Sequence, residues 1–272
     1  MQLAQSTIGF IGAGNIASAF MGGILRAYPD LAARIHISNP SAAKLDALKE
    51  RYPALHTTSD NKDVARVADI LFLTVKPKFY PAVIEEIREH VNPDTIIISV
   101  AAGLKIAFVQ SLFQKDVKIL RCMPNTPTML GLGMSGLCPN SFLTEEDLTL
   151  LKELFSSFGT YEVVAEELFD TVTGVSGSGP AYVYLFIHAM AKAAEKDGMP
   201  YDQAIVFAAQ TAKGAAEMVL SSGTDPETLT DNVCSPGGTT IEAVDVFKKD
   251  GLYDLVYKAQ HACVEKSKKL SQ

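Results

Sequence analysis

The sequence predicts an α/β fold, in which a parallel sheet with helices on both faces is followed by an all-α C-terminal domain. Through the first 164 residues, short runs of β-branched and apolar residues alternate with helical patterns, as βαβ units require. From about Leu168 onward no convincing strand pattern is found, and Ala-rich helical patterns fill the chain. We therefore predict one domain over residues 1–164 and a second over residues 165–272.

The elements of the first domain follow from local residue patterns. Strands are predicted at residues 7–11, 35–38, 55–57, 70–75, 95–100, 117–122 and 159–164, where apolar and β-branched residues cluster. Helices are predicted between them, including residues 16–27, 42–52 and 81–91. A further helix begins at Thr144-Glu145-Glu146-Asp147, which has the pattern of a capping box.

The second domain is predicted to consist of helices with little polar surface. They cover residues 181–197, 202–221, 239–249 and 253–270, and another begins at Asp225-Pro226-Glu227 with proline in the first turn. Small residues dominate the stretch 208–216 and allow close helix packing. Helices this apolar need cover on more than one side, either in a compact bundle or at a subunit interface. We favour self-association through these C-terminal helices.

Composition narrows the function classes. The 272 residues carry a net charge of −7 and a pI of about 5.3, which argues against a nucleic-acid-binding protein. No stretch approaches the ~20 apolar residues of a membrane span, and no signal-peptide pattern is present, so a cytoplasmic location is expected. Cys122, Cys138, Cys234 and Cys263 lack metal-ligand spacing, so reduced thiols and no metal site are expected.

A glycine-rich turn follows the first predicted strand and opens the first helix. It reads Gly12-Ala13-Gly14-Asn15-Ile16-Ala17 and matches the G-x-G-x-x-G/A pattern of dinucleotide-binding Rossmann-type domains. Gly12 permits the tight turn, Gly14 leaves room for a pyrophosphate, and Ala17 lets the helix pack close to the sheet. The free N–H groups at the helix start would bind the phosphates. Residues 1–164 are therefore predicted to bind a nicotinamide dinucleotide.

The end of the second predicted strand bears on the choice of cofactor. NAD-selective domains usually place Asp or Glu there, whereas this chain has Ser38-Asn39-Pro40-Ser41. Hydroxyl, amide and N–H donors can bind a 2′-phosphate, and Lys44 would add positive charge. NADPH is therefore favoured. NADH stays an alternative, because the arginine that usually binds a 2′-phosphate is missing.

Two further loops end predicted strands at the edge where such sheets bind ligands. They are Thr74-Val75-Lys76-Pro77 and Val100-Ala101-Ala102-Gly103. The small residues of the second loop would let a nicotinamide lie against the backbone. Each loop alone could equally be a plain connection after a strand.

Two polar loops in the helical part are candidates for a substrate site. One spans residues 175–181 and contains Ser176; the other spans residues 231–240. Both run into helix starts and offer hydroxyls and N–H donors with little side-chain bulk, which suits a small carboxylate ligand. Helix capping by serine and threonine is the alternative explanation for either loop alone.

At these motifs the chain resembles the pyrroline-5-carboxylate reductase family, over essentially its whole length. The matching segments are GFIGAGN at 9–15, VKP at 75–77, RCMPNTP at 121–127, GVSGSGPAY at 174–182 and DNVCSPGGTTI at 231–241. The resemblance implies a Rossmann domain and an all-helical dimerisation domain. It also implies hydride transfer from NAD(P)H to the C=N bond of 1-pyrroline-5-carboxylate, a cyclic imino acid, giving L-proline in the last step of proline biosynthesis.

The same resemblance implies specific site residues. Cofactor contacts fall on residues 12–17, 74–77 and 100–102, on Asn39 and on Asn61, and Ser38 joins them from the residue argument above. Substrate contacts fall on Glu166, Asn232, Thr239 and Thr240, with the loop at Ser176 beside them, and the mechanistic hypothesis below adds Ser235, Gly237 and Gly238. As a mechanistic hypothesis, the loop at 235–240 would hold the carboxylate, while the Thr240 hydroxyl would bond the ring nitrogen and take the catalytic role.

Two competing functions are weighed against this one. A 3-hydroxyacid dehydrogenase would need a catalytic lysine followed one helical turn later by asparagine, and Lys192 and Lys196 have no such partner. A dinucleotide-sensing protein would need no substrate pocket. The two polar loops at residues 175–181 and 231–240 therefore argue against that function.

Overall fold

A computed structural model describes residues 2–270 of the chain. The chain divides into two compact units. The first runs through Ser178 and resumes at Cys263, and the second is Gly179–Ala262. The functional boundary predicted after residue 164 lies upstream of this division and stays a prediction.

The first unit is built on one eight-stranded sheet. Its spatial order is β3-β2-β1-β4-β5-β6-β7-β8, and neighbouring strands are parallel except for the antiparallel pair β6 and β7. In chain order the strands β1 to β8 are Ile8–Ile11, Ile35–Ser38, His56–Thr58, Ile70–Leu73, Ile96–Ser99, Lys118–Met123, Gly133–Pro139 and Gly159–Val163. The strand order reverses between β1 and β4, which creates the switch point where open α/β sheets bind ligands.

Helices α1 to α6 connect these strands. Their bounds are Asn15–Ala27, Ala42–Arg51, Asn61–Val67, Tyr80–Ile87, Ile106–Phe113 and Glu145–Ser156. Thr144 caps α6, and the capping box predicted from the sequence is present, with Asp147 bonding back to the Thr144 N–H. This reciprocal pair satisfies two N–H groups that the helix start would otherwise leave free.

Side chains of β4 alternate between two cores. Ile70 and Phe72 belong to a cluster that includes Phe20 of α1. Leu71 and Leu73 belong to a second cluster, which includes Ile84 of α4. Because successive residues of a strand point to opposite faces, a strand that is apolar throughout requires cover on both sides. The predicted α/β fold, with helices on both faces of a mostly parallel sheet, is confirmed.

Strand β7 was not predicted from the sequence. It contains Gly133, Gly136 and Pro139, and these residue types are depleted in strands. Their presence has a local reason, because a Cβ on Gly136 would come within 2.8 Å of the Val172 side chain. The antiparallel pairing of β7 with β6 therefore depends on close tertiary packing rather than on strand propensity.

The segment after β8 is helical rather than a loop. A 3-10 turn, Glu166–Leu168, leads into α7, Phe169–Val172, and then into a π-helical turn, Thr173–Gly177. The loop expected at residues 175–181 is therefore wrong. Its backbone is already used in helical hydrogen bonds, such as Ser178 N–H to the Thr173 carbonyl at 2.9 Å.

The second unit is helical, as predicted. Helices α8 to α12 are Gly179–Lys196, Tyr201–Ser221, Pro226–Val233, Thr239–Lys249 and Leu252–Leu270, the last of which ends in the first unit. Its buried core is small and consists of Ala191, Ala204 and Ala208. Leu185, Phe207 and Leu220 are each at least 66% exposed in the single chain. Apolar surfaces of this kind are typical of protein–protein interfaces.

Residues 2–270 contain neither a membrane-spanning helix nor a cluster of metal ligands. No helix in that range has both the length and the apolar character needed to cross a membrane. In the same range, no three histidine, cysteine or acidic side chains are grouped so that they could hold a metal ion.

Candidate functional site

A cleft of about 470 Å³ lies at the carboxyl ends of β1, β2 and β4, at the switch point of the sheet. It brings together nine of the cofactor residues predicted from the sequence: Gly12, Ala13, Gly14, Ser38, Asn39, Asn61, Thr74, Val75 and Lys76. Residues Pro40, Lys44, Ser59, Phe79, Ala82, Val83 and Glu86 complete the lining. The volume and position suit an extended ligand such as a dinucleotide.

The glycine turn shapes one wall of the cleft. Gly12 has φ +104°, and a Cβ there would lie 3.0 Å from the Thr74 carbonyl oxygen, so only glycine fits without strain. Gly14 has no protein atom within 4 Å of the place where its Cβ would be, so the space beside it is open. No side chain caps α1, which leaves the N–H groups of its first turn available to an anion.

Hydrogen bonds hold this turn against its neighbours. The Thr74 hydroxyl donates to the carbonyls of Ile11 and Gly12 at 3.0 and 2.7 Å. The Ala13 N–H donates to the Asn39 side-chain oxygen at 3.2 Å. Asn39, predicted as a cofactor contact, therefore lies in the cleft and also positions the glycine turn.

A chain of three polar side chains crosses the cleft. Ser38 Oγ donates to Asn61 Oδ1 at 2.7 Å, and Asn61 Nδ2 donates to Glu86 Oε2 at 2.8 Å. The sequence places no acid at the end of β2, yet α4 brings this carboxylate into the same cleft. The prediction of NADPH depended on the absence of Asp or Glu at the end of β2. That absence is real, but the cleft as a whole does contain an acidic side chain, Glu86.

The cleft residues missed by the sequence analysis are mostly on one face of a single segment. Phe79, Ala82, Val83 and Glu86 are spaced i, i+3, i+4 and i+7, which is the spacing of one helical face. That periodicity was visible in the sequence. It could not reveal which face turns toward the ligand.

The predicted contacts at the other strand end lie outside the lining of this cleft. Ala101 is buried, while Val100 and Ala102 are partly exposed, and all three follow β5. Beneath them, the Tyr80 hydroxyl donates to the Leu73 carbonyl at 2.8 Å. Burial raises the pKa of Tyr80 to about 12, so the hydroxyl keeps its proton and this bond is maintained.

The remaining cofactor predictions fall near the cleft but not on its wall. Asn15 and Ile16 form the first turn of α1, and Ala17 is fully buried beneath it. Pro77 begins the 3-10 turn that leads to α4. A buried small residue at position 17 agrees with close packing of α1 on the sheet.

Glu166 is held by two partners within the first unit. Its Oε1 accepts from Arg121 Nη1 at 2.9 Å and from the Ile106 N–H at 2.6 Å. The Arg121 side chain is 6% exposed and its guanidinium lies 4.3 Å from the ring centre of Phe169. Oε1 of Glu166 therefore has a structural role within the first unit.

Ser176, the other predicted substrate residue of this unit, is on the π-helical turn. Its Oγ accepts from Asn125 Nδ2 at 3.4 Å, and Asn125 Oδ1 accepts from the Met134 N–H at 2.9 Å. Asn125 belongs to the segment between β6 and β7. The structure thus ties Ser176 to the sheet rather than to an open loop.

The other predicted substrate residues form a surface turn in the second unit. Asn232 is in the last turn of α10, Ser235 to Gly238 form the connection, and Thr239 and Thr240 begin α11. Gly237 has φ +69°, a conformation that favours glycine, and a Cβ on Gly238 would lie 2.3 Å from Ser235 Oγ, so that side chain would have to move. No side chain caps the N-terminus of α11. Its first N–H groups and two threonines can therefore bind a carboxylate.

Known proteins match both parts of the chain. A family model described as pyrroline-5-carboxylate reductase dimerisation matches residues 166–270. A model described as NADP oxidoreductase, coenzyme F420-dependent, matches residues 7–103. A pyrroline-5-carboxylate reductase from Escherichia coli is 43% identical over 268 residues, which is 98% of this chain and 99% of that protein.

Solved structures agree with the sequence matches. A pyrroline-5-carboxylate reductase from Coxiella burnetii is similar with a TM-score of 0.91 and 35% identity, covering 98% of this chain and 99% of that one. A Plasmodium falciparum pyrroline carboxylate reductase solved with NADP bound has a TM-score of 0.88 and 31% identity, with the same coverage.

Proposed function

The chain belongs to the pyrroline-5-carboxylate reductase family, and on that premise we propose that NADPH is its preferred hydride donor. It is an oxidoreductase that reduces the C=N bond of 1-pyrroline-5-carboxylate to L-proline, the last step of proline biosynthesis. The observation that carries the cofactor proposal is the cleft at the switch point, whose lining includes Ser59 and Lys44 for a 2′-phosphate and whose open space beside Gly14 borders an uncapped helix start.

The residues of the cleft fit the parts of a dinucleotide. The N–H groups of Asn15 and Ile16 would bind the pyrophosphate, because no side chain competes for them. Ser59 and Lys44 would bind a 2′-phosphate from the side of β2. When bound, the cofactor supplies a hydride to the imine carbon, so the protein's task is positioning and electrostatic stabilisation.

The substrate is proposed to bind at the turn between α10 and α11. The N–H groups at the start of α11, with the Thr239 hydroxyl, would hold its carboxylate. The Thr240 hydroxyl oxygen would accept a hydrogen bond from the protonated ring nitrogen and so favour the protonated imine, which accepts hydride more readily. Threonine is itself a weak acid, so we propose that the proton comes from water or arrives with the substrate.

A spectrophotometric assay tests this function. With 1-pyrroline-5-carboxylate present, we expect oxidation of NADPH at a higher kcat/KM than oxidation of NADH. Omitting the imine provides the control for background oxidation. Tight binding of NADPH without imine-dependent oxidation would instead favour a dinucleotide sensor, and a clear preference for NADH would refute the cofactor assignment.

Replacing Thr240 tests the proposed catalytic contact. We expect Thr240→Ala to lower kcat/KM for the imine by about tenfold or more, because one positioned transition-state hydrogen bond is lost. Thr149→Ala is a matched control, since the Thr149 hydroxyl bonds only the Glu145 carbonyl within α6 among the contacts described. A Thr240→Ala enzyme within about twofold of the wild type would show that the assigned role is wrong.

We also propose self-association through α8 to α12 in the cytoplasm. The apolar side chains exposed on these helices, such as Leu185 and Phe207, support an interface between copies of the chain. The match to a dimerisation model over residues 166–270 supports the same assembly. The four cysteines are all unpaired, which agrees with a reducing compartment.

A further inference from the structure

One acidic side chain lies among the residues that line the cofactor cleft. Glu86 of α4 is exposed to solvent there, and its Oε2 accepts from Asn61 Nδ2 at 2.8 Å. The other charged residues of the described lining are Lys44 and Lys76, which would attract phosphate. The negative charge of Glu86 therefore opposes the attraction of Lys44 and Lys76 for phosphate, in the part of the cleft that is formed by Ser38 and Asn61.

The carboxylate also determines the direction of the hydrogen-bond chain. An ionised carboxylate can only accept, so Asn61 must turn its NH₂ group toward Glu86 and its oxygen toward Ser38. The Ser38 hydroxyl then donates its proton to Asn61. Ser38 is fully buried, so its hydroxyl offers no donor to a phosphate, and the exposed charge at the end of this hydrogen-bond chain is the Glu86 carboxylate.

We propose that Glu86 is a positioning residue that limits the selectivity of this site for a 2′-phosphate and so keeps NADH usable. It acts by its own negative charge and, by accepting from Asn61, by fixing the orientation of that side chain. The inference rests on the proposed dinucleotide binding. It is independent of which imine the enzyme reduces.

Calorimetric titration with two nucleotides that differ only at the 2′ position tests the proposal. The probes are 2′,5′-ADP, which carries the phosphate, and 5′-AMP, which carries the hydroxyl. We expect Glu86→Gln to tighten 2′,5′-ADP about fivefold, because a like charge is removed, and to leave 5′-AMP within about twofold. The gain should shrink in high salt, where exposed charges are screened.

Two further variants separate the charge from other effects. Glu85→Gln is the matched control, since this neighbouring acid is exposed but does not line the cleft; both affinities should stay within about twofold of the wild type. Glutamine at position 86 removes the charge but retains an oxygen that can accept from Asn61, so the hydrogen bond itself can persist in Glu86→Gln. Glu86→Ala removes the acceptor as well, and should tighten 2′,5′-ADP at least as much as Glu86→Gln does.

Steady-state kinetics give an independent measurement. In Glu86→Gln, the KM for NADPH should fall while its kcat and the KM for NADH are unchanged; a merely structural role would alter both cofactors together. The proposal is overturned if the affinity ratio of the two nucleotides is unaltered in both position-86 variants. Failure of the wild type to bind either nucleotide would overturn the cofactor site itself, whereas nucleotide binding without imine reduction would overturn only the proposed reaction.

Discussion

Valine at position 14 is expected to abolish cofactor binding without unfolding the protein. Gly14 has φ −90° and ψ −177°, an extended conformation that any residue adopts, and no protein atom lies within 4 Å of its Cβ position. The protein therefore has room for the side chain. A pyrophosphate approaching the first turn of α1 would occupy that same space, so valine would exclude it.

The expected size of this effect is large. We expect the Kd for NADPH to rise on the order of 100-fold in Gly14→Val, because steric exclusion removes the phosphate contacts that anchor the ligand. The melting temperature should stay within about 2 °C of the wild type, since surface substitutions without strain cost little stability. Titration of NADPH fluorescence and thermal denaturation followed by circular dichroism measure the two quantities.

Two other glycine substitutions serve as comparisons. Gly12→Val should lose both binding and stability, because φ +104° and the Thr74 carbonyl at 3.0 Å leave no strain-free position for a side chain. Gly22→Ala, within α1, should preserve both, since only the Tyr52 hydroxyl comes as near as 4.0 Å to its Cβ position. Retention of NADPH affinity by Gly14→Val, within about threefold, would contradict the assignment of the pyrophosphate position.

Loss of Arg121 is expected to cause the largest change in stability. The Arg121 side chain is 6% exposed and the Glu166 side chain 25%, and their ion pair measures 2.9 Å. Arg121→Met keeps an apolar stem for packing but leaves the Glu166 carboxylate without its cation. Removing one partner of a buried pair lowers the free energy of unfolding by roughly 3–5 kcal/mol. Because Glu166 is partly exposed, we expect a loss of about 3 kcal/mol, at the lower end of that range.

Urea denaturation of matched variants measures this cost. Lys192→Met breaks an exposed pair with Glu195, at 2.7 Å, and should leave the free energy of unfolding nearly unchanged, because solvent screens exposed ion pairs. In the double variant Arg121→Met with Glu166→Gln, no uncompensated charge remains, so its loss should be smaller than the sum of the two single losses. A loss below about 1 kcal/mol in Arg121→Met would show that the pair does not stabilise the first unit.

The ion pair between Arg121 and Glu166 was not predicted from the sequence. The family resemblance assigned Glu166 to the substrate, and that assignment stays a prediction. The contacts of Glu166 with Arg121 and with the Ile106 N–H join residues 45 and 60 positions apart in the chain. Partners at such separations follow from strand order, which no local pattern encodes.

Predictions from the sequence succeeded where local physics decides the outcome. Apolar strands such as residues 70–73, the capping box at Thr144 and the glycine turn at Gly12 depend on side chains that are close in sequence. The same applies to the turn before α11, where the positive φ of Gly237 favours glycine by backbone geometry alone. The fold class followed from these features, and the glycine turn lines the cleft that we propose for the cofactor.

Only the tertiary structure decided the features that depend on distant residues. Strand β7 exists because Gly133 and Gly136 permit close approach of other segments, although their strand propensity is low. The π-helical turn at Ser176 replaced an expected loop because the chain continues from one helix into the next. Glu86 is the clearest example of a feature that the sequence could not predict. Helical spacing determines which residues share its face of the helix, but only the packing of α4 in the fold determines that this face turns toward Asn61. The glycine turn thus predicted a dinucleotide from sequence alone, whereas the charge of the cleft depends on which face of α4 the fold turns toward Asn61.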